Sequence, residues 1–457
     1  MIEDFFSELD FILVPFYLVL IYFIGSRIQK SRIQEKPLYA YYTKGLMLKL
    51  IASLFVSIIF IYYYKGGDNI GYFVSAQYLA KMQFINPNVY FSVLFNERTH
   101  ENLAIFYENG LCCPDYWKDS QSFTVVRVCS LFVWLGANNI LTTSMLFAWL
   151  SFGGIFRLFL LMNKLFPGLE KKFAIAILFM PSLIFWGSSI LKDTITFSAA
   201  CWLTFAFYNA LIARERPIRH FIIMAISIAV IINIKAYIFV ALIPGFILWL
   251  SYSRIMKIKS GLIRLVAAPV ITLTGIGLGL FVFSSFSNSL GDYGSVDKAL
   301  NKAIVTKNDL TREAYGENSF DIGEIDGSAG NLLSKFPVAV VAGLFRPFLW
   351  DATNPVMLLS ALENTFLLLL FIKVLLKNGM GFFFRVFGSP VLTLCFVFSI
   401  FFSFSLGLTT ANFGALVRYK IPAIPFFLSM LYILDAPKES FLSEPIPIDE
   451  NEVVEAK

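Results

Sequence analysis

A carboxylate beside a bilayer-length apolar run is the first group in this chain that can do chemistry. Asp68 stands a few residues after the apolar segment 46–64, in the stretch Lys65-Gly66-Gly67-Asp68-Asn69-Ile70-Gly71-Tyr72, where two glycines let the backbone turn. A charge this close to hydrocarbon is costly unless solvated or paired, so Asp68 is either an interfacial helix cap or a functional group. A second acid occupies the same kind of place: Lys192-Asp193 opens an apolar segment after the stretch 181–189. Asp193 is either a cap with Lys192 as its counter-ion or a second acidic site residue. Seven cations stand at segment ends on the same face as these acids: Lys65, Arg127, Lys192, Lys235, Arg346, Arg418 and Lys420. The positive-inside rule makes an outer face poor in Lys and Arg near its span ends. One such residue alone is a snorkelling or ion-paired side chain. Seven beside two carboxylates suit a phosphate or diphosphate head group. A carboxylate among them suits a general base, with Lys65 keeping Asp68 ionised before reaction.

The elements that must position these groups are membrane spans. The chain has 457 residues, of which 57% are hydrophobic and only 15% charged, and its mean hydropathy is +0.70. Soluble domains carry about a quarter charged residues, and many runs here reach the ~20 residues a bilayer requires. The expectation is an all-α, polytopic transmembrane bundle of about eleven spans. The aromatic content of 17%, with 50 Phe, suits a lipid-facing, helix-packed body, and the net charge of +6 belongs to topology and not to nucleic-acid binding.

Basic loops set the orientation. Arg27, Lys30, Arg32, Lys36 and Lys44 follow a first span at 11–25, so that loop is cytoplasmic, the N-terminus is outside, and the span 46–64 delivers Asp68 to the extracytoplasmic face. Residues 65–121 form a first outer loop. It opens with an amphipathic helix on the membrane, because Tyr72, Ser75, Ala76, Leu79 and Ala80 recur at helical spacing. Lys164, Lys171 and Lys172 mark an inner loop after a span at 141–162, as do Arg214, Arg216 and Arg219 after spans at 173–188 and 194–212. That parity leaves 123–136 as an interfacial or re-entrant helix. Two short spans, 221–234 and 237–250, turn at Lys235-Ala236, and a further span at 265–286 leads to a second outer loop, about 287–334. A short apolar piece, 336–350, is interrupted by Arg346-Pro347. Spans at 356–376, 390–408 and 421–434 follow, so that 1–434 is one membrane domain and the acidic tail 435–457 is cytoplasmic and disordered. No inverted repeat of the transporter kind is visible.

Other chemistries lack their residues. His100 and His220 are isolated, and the five cysteines (112, 113, 129, 201 and 395) have no metal-ligand spacing, so no motif holds a divalent metal. Cys112 and Cys113 are free thiols or a strained pair. There is no phosphate-binding glycine loop and no Gly-x-Ser-x-Gly. Glu363, within a span, is a neutral or Arg-paired structural residue. Met1-Ile2-Glu3-Asp4 is acidic where a cleavable signal has a basic start.

The stretch Gly67-Asp68 through Tyr72, Ala76 and Leu79 resembles the first outer-loop signature of GT-C fold glycosyltransferases, polytopic enzymes that use polyprenyl-phosphate-linked sugars. Residues 181–193 are similar to that family's later Pro-containing turn and second Asp. Asn412 through Arg418, Pro422 and Pro425 is similar to its Arg-then-Pro ending. The resemblance covers roughly residues 46–434. It implies an inverting, integral-membrane glycosyltransferase of the cytoplasmic membrane, its site facing the periplasm or exterior and Asp68 the base that activates a glycan or lipid acceptor. Lys192, Lys235, Arg346 and Arg418 would hold the lipid phosphate. The chain departs from the family in an additional N-terminal span, in lacking an Asp-x-Asp pair for a metal-dependent mechanism, and in lacking the large soluble domain of some members. A polysaccharide-repeat polymerase or ligase is the rival reading, since it also handles undecaprenyl diphosphate at this face and relies on outer arginines; Asp68 discriminates, because a polymerase has less need of that base. A lipid or solute transporter is a third, disfavoured because Glu363 and Arg157 are the few polar residues seen at mid-span.

Overall fold

The computed structural model describes residues 8–256 other than 96, 112 and 113, residues 319–323 and 328–437, and positions 270, 274 and 304–306. The expected span 265–286, nearly all of the second outer loop, the adjacent Cys112 and Cys113 and the tail beyond residue 437 lie outside the described residues. Within them the chain is helical, with no strand and one isolated bridge between Ser319 and Asn412. Seven of the described helices are long and apolar enough to cross a membrane, or eight if the bent pair Phe413–Tyr419 and Ile424–Asp435 is one span. The chain is an integral membrane protein with an all-helical body.

Packing along the helices fixes two ends. Lys172, Lys373 and Lys377 surround Asp435 at one end; Asp68 and Asp193 lie at the other. Helix Pro217–Met256 has non-helical angles at Lys235 (φ −145, ψ 72), and its contacts show that it folds back there. His220 lies against Phe205, the Lys235 ammonium reaches Asp193, and Phe246 stacks on Phe207 with Trp249 tilted beside it. Residues 193 and 207 are about 21 Å apart along a helix, so the chain climbs to the Asp68 end, turns at Lys235 and returns. The two short spans expected at 221–234 and 237–250 are the two legs of this hairpin.

The segment 173–188 is not the regular span expected. It is a chain of short pieces, Glu170–Phe173, a π-turn Ala174–Phe179 and Pro181–Trp186, broken at Met180 by the extended backbone that precedes a proline. The broken backbone is satisfied from inside the protein: Lys49, buried in the second span, donates to the Gly187 carbonyl, and the Glu363 carboxylate accepts from Ser182 N–H at 2.9 Å. Non-helical backbone at membrane depth persists only with such protein partners. Glu363 is therefore held by Ser182, whose hydroxyl also donates to it at 2.5 Å, and not by an arginine.

Helix Ser120–Val133 has 14 residues and spans about 21 Å; it lies where an interfacial or re-entrant helix is expected at 123–136. Helix Asp68–Ile85 forms as expected, but its stripe of Tyr72, Ser75, Ala76, Leu79 and Ala80 is buried in a protein core with Phe123, Val126 and Cys129, not laid on lipid. Further along, Ala329–Phe345 packs closely on Pro390–Thr409. A Cβ at Gly343 would stand 2.1 Å from the Ser403 carbonyl oxygen, and one at Gly407 would stand 2.0 Å from that of Ala339. Small residues allow this approach where lipid removes most of the hydrophobic drive between helices.

Candidate active site

Four elements bring one charged side chain each to the Asp68 end. Asp68 is the first residue of its helix, entered through Gly67 at φ +96, a left-handed conformation that L side chains rarely adopt. A Cβ at Gly67 would also meet the Phe60 ring at 3.1 Å. Asp193 sits in the first turn of helix Lys192–Phe207, where the positive end of the helix dipole favours a carboxylate. Lys235 is the tip of the hairpin, and Arg418 lies in the last turn of helix Phe413–Tyr419, just before the chain bends by 66°.

The charges alternate. Arg418 Nη2 donates to Asp68 Oδ2 at 2.7 Å. Arg418 Nε stands 3.1 Å from Asp193 Oδ2, at ion-pair distance but not aligned as a hydrogen bond. The other Asp193 oxygen accepts from Lys235. The Tyr419 ring lies under both cations, with its centroid 4.0 Å from Lys235 Nζ and 5.1 Å from Arg418 Cζ. The Asp193 side chain is fully buried, whereas that of Asp68 is 31% exposed, so the row runs from protein interior to solvent. Fully buried charges persist only when paired, and each of these has a partner.

Asp68 is held from a second side by Tyr116, whose hydroxyl donates to Oδ1 at 3.2 Å and whose ring lies 4.8 Å from that of Tyr72. Burial by itself pushes the Asp68 carboxyl up, but the Arg418 charge and hydrogen bond, Lys192 and the Tyr116 hydroxyl outweigh it and leave the group below its ordinary value. Burial and then the Asp68 charge push the Tyr116 phenol well up, so it stays protonated and donates. Lys192 Nζ pairs with Asp119 Oδ2 at 3.5 Å, and Asp119 also caps helix Ser120–Val133 by accepting from Gln121 N–H at 2.9 Å. Beneath Asp68, Asn69 donates to Ser189 in a buried set with Ser57 and Ser144, where Ser57 donates to Ser144 at 2.9 Å.

Several expectations are corrected here. Lys65 is exposed and makes no described contact with Asp68; Arg418 is the cation that keeps it ionised. Lys192 is the partner of Asp119, while Asp193 pairs with Lys235 and Arg418. Arg127 donates to the Val93 carbonyl at 2.9 Å and lies over Phe123, apart from the row. Arg346 faces Asp351 at 3.8 Å with its guanidinium over Phe320, Phe348 and Phe413. Lys420 is buried and donates to the Arg346 carbonyl at 3.1 Å, the Leu344 carbonyl at 3.3 Å and the Asn364 side chain, fastening the end of helix Ala329–Phe345. Of the seven cations, Lys192, Lys235 and Arg418 therefore meet carboxylates of the site, and three carboxylates are present, because Asp119 joins Asp68 and Asp193.

Tyr116, Asp119 and the mid-span Lys49 did not stand out in the sequence. Asp119 had a visible signal, a cap residue before an apolar helix; Tyr116 had none. Among the described residues no group of three or more His, Cys, Asp or Glu is placed to hold a metal ion. Protein-family models, curated proteins and solved structures offer no match to this chain, so the reading of the site rests on its own geometry.

Proposed function

We propose that this protein is a membrane-embedded transferase that moves a sugar from a polyprenyl-phosphate donor to an acceptor at the extracytoplasmic face. One observation carries the reading: Asp68, Asp193, Lys235 and Arg418, far apart in sequence, meet in a single ion row at one end of a membrane bundle, with Asp68 toward solvent. The opposite end collects Lys172, Lys373 and Lys377, which under the positive-inside rule makes it cytoplasmic and the Asp68 end external. In this reading the lipid phosphate approaches Arg418 from the membrane side and the acceptor hydroxyl approaches Asp68 from the water. Asp68 takes the acceptor proton as the acceptor oxygen bonds to the anomeric carbon, and the bond from that carbon to the phosphate oxygen breaks. Arg418, with Lys192 and Lys235 behind it, stabilises the charge left on the phosphate.

A second reading, a polymerase or ligase acting on undecaprenyl-diphosphate-linked glycans, is favoured by the tie between Asp68 and Arg418, which weakens Asp68 as a base. The leaving group separates the two. Purified protein in nanodiscs is incubated with undecaprenyl-phosphate hexoses or with undecaprenyl-diphosphate oligosaccharides, together with a hydroxyl acceptor mixture, and the lipid products are weighed by mass spectrometry. Release of undecaprenyl monophosphate supports the first reading, and release of the diphosphate the second. Release of neither from protein that remains folded removes both.

A further inference from the structure

Resting on the transferase reading, a second question is how a phosphate enters a row that has no net charge. Arg418 and Lys235 are matched by Asp68 and Asp193, and Lys192 by Asp119. The phosphodiester of such a donor, with its single negative charge, meets as much repulsion as attraction against this balanced set. The hydrogen bonds of the guanidinium, by contrast, are few. Among the described residues Arg418 makes its hydrogen bonds from Nη2 alone, to Asp68 and, at 3.5 Å, to the Tyr419 hydroxyl, and its buried Nε has no hydrogen-bond acceptor. A guanidinium offers five N–H donors in a fixed fork suited to phosphate.

The two carboxylates on Arg418 differ in how firmly they are seated. Asp193 is fully buried and also tied to Lys235. Asp68 is partly exposed, and it hangs on Gly66 and Gly67, both at positive φ. Asp68 is the one that can leave.

We propose that Asp68 occupies Arg418 as an internal stand-in for the donor phosphate, and that donor binding displaces it and thereby releases the carboxylate that serves the acceptor. The exchange breaks the Asp68–Arg418 contact and forms an Arg418–phosphate contact, with no covalent change. It couples the two substrates: before the donor binds, Asp68 is held by a cation and is a weak base. Once Arg418 turns to the phosphate, the burial that raises the Asp68 carboxyl is less opposed. The donor therefore binds first, and an acceptor that arrives alone is not activated.

This predicts a gain of binding from loss of a site residue. Undecaprenyl phosphate, the lipid without its sugar, is titrated into full-length protein in nanodiscs. Asp68→Ser, which removes the competing carboxylate, is expected to bind about threefold to tenfold more tightly than wild type, somewhat more than an exposed ion pair contributes because this one is partly buried. Asp68→Asn gains less, since its amide oxygen can still accept from Arg418. Arg418→Ala is expected to lose at least tenfold. A second readout uses the wild-type protein alone: carbodiimide modification of Asp68, followed by mass spectrometry, is expected to rise when undecaprenyl phosphate is added. Equal or weaker binding by folded Asp68→Ser, or unchanged or reduced labelling of Asp68, overturns the displacement while leaving the transferase reading in place. Absence of binding by every folded form removes the polyprenyl-phosphate reading itself, and the displacement with it.

Discussion

Arg418 Nη2 lies 2.7 Å from Asp68 Oδ2, a contact between residues 350 positions apart in the chain. It joins the start of helix Asp68–Ile85 to the bend before helix Ile424–Asp435, and the same guanidinium stands 3.1 Å from Asp193. Arg418 is therefore the hinge of the site's electrostatics. Without it Asp68 loses its direct counter-charge and Asp193 retains Lys235 alone. The most informative substitutions are those that separate its charge from its shape.

Arg418→Ala should lower affinity for undecaprenyl phosphate by about 1.5 to 3 kcal/mol, the range for a charge-assisted hydrogen bond. Arg418→Lys should recover only part of this, because an ammonium cannot fork across two phosphate oxygens while facing Asp193. Binding measured in nanodiscs checks both. Affinity unchanged in folded Arg418→Ala would leave the residue a structural clamp between two carboxylates.

Lys420 and Arg346 should behave differently from Arg418, although all three are among the seven cations at segment ends in the sequence. Lys420→Met leaves the oxygens of Leu344, Arg346 and Asn364 without their donor and should cost about 1 to 3 kcal/mol in stability. It is read as a fall in thermal midpoint, with lipid-phosphate affinity of the folded fraction within about twofold of wild type. Arg346→Ala, which removes the contact with Asp351 and the packing on Phe320 and Phe413, should likewise spare binding. A loss of binding in either variant without a loss of stability would place that cation in the site after all.

The membrane body was legible because apolar runs and basic loops have no competing explanation in so hydrophobic a chain. The break at Lys235 was legible for a related reason: a lone charge between two apolar runs stands at an end. The pairing of charges was not. Lys65 is three residues from Asp68 and Lys192 is next to Asp193, yet each acid is paired by a cation from another element, and sequence neighbours were the wrong guide. Adjacent residues on a helix point about 100° apart, which turns Lys192 toward Asp119 and Asp193 toward Lys235. The broken segment around Met180 was read as a plain span because composition does not show that Lys49 and Glu363 stand ready to satisfy its backbone.

The topology predicts which ends label from outside. In a background lacking Cys112 and Cys113, Asn88→Cys, exposed beyond helix Asp68–Ile85, should react with an impermeant thiol reagent in intact cells. Ser31→Cys, exposed at the opposite end, should react only after permeabilisation. The remaining cysteines, 129, 201 and 395, are buried and should stay silent. The reverse pattern would invert the protein and place Asp68 on the cytoplasmic side.

The pH dependence of stability follows from the two solvent-facing carboxylates. Asp68 and Asp119 are both held below their ordinary values, Asp68 by Arg418 chiefly and Asp119 by Lys192 chiefly, in each case against burial. A carboxyl depressed in the folded state contributes stability that is fully present above its unfolded pKa, about 4, and is lost as pH falls through the lower folded value. The thermal midpoint should therefore be insensitive to these groups from pH 7 to 5 and fall below about pH 4 as both become protonated. Asp68→Asn should flatten part of that fall, since its side chain does not titrate, and the same variant should lose about 10²- to 10⁴-fold in turnover as general-base assistance disappears. Its binding of undecaprenyl phosphate should hold or tighten. Turnover near that of wild type in folded Asp68→Asn would remove the base from Asp68 and favour the diphosphate-releasing reaction, in which no carboxylate base is required.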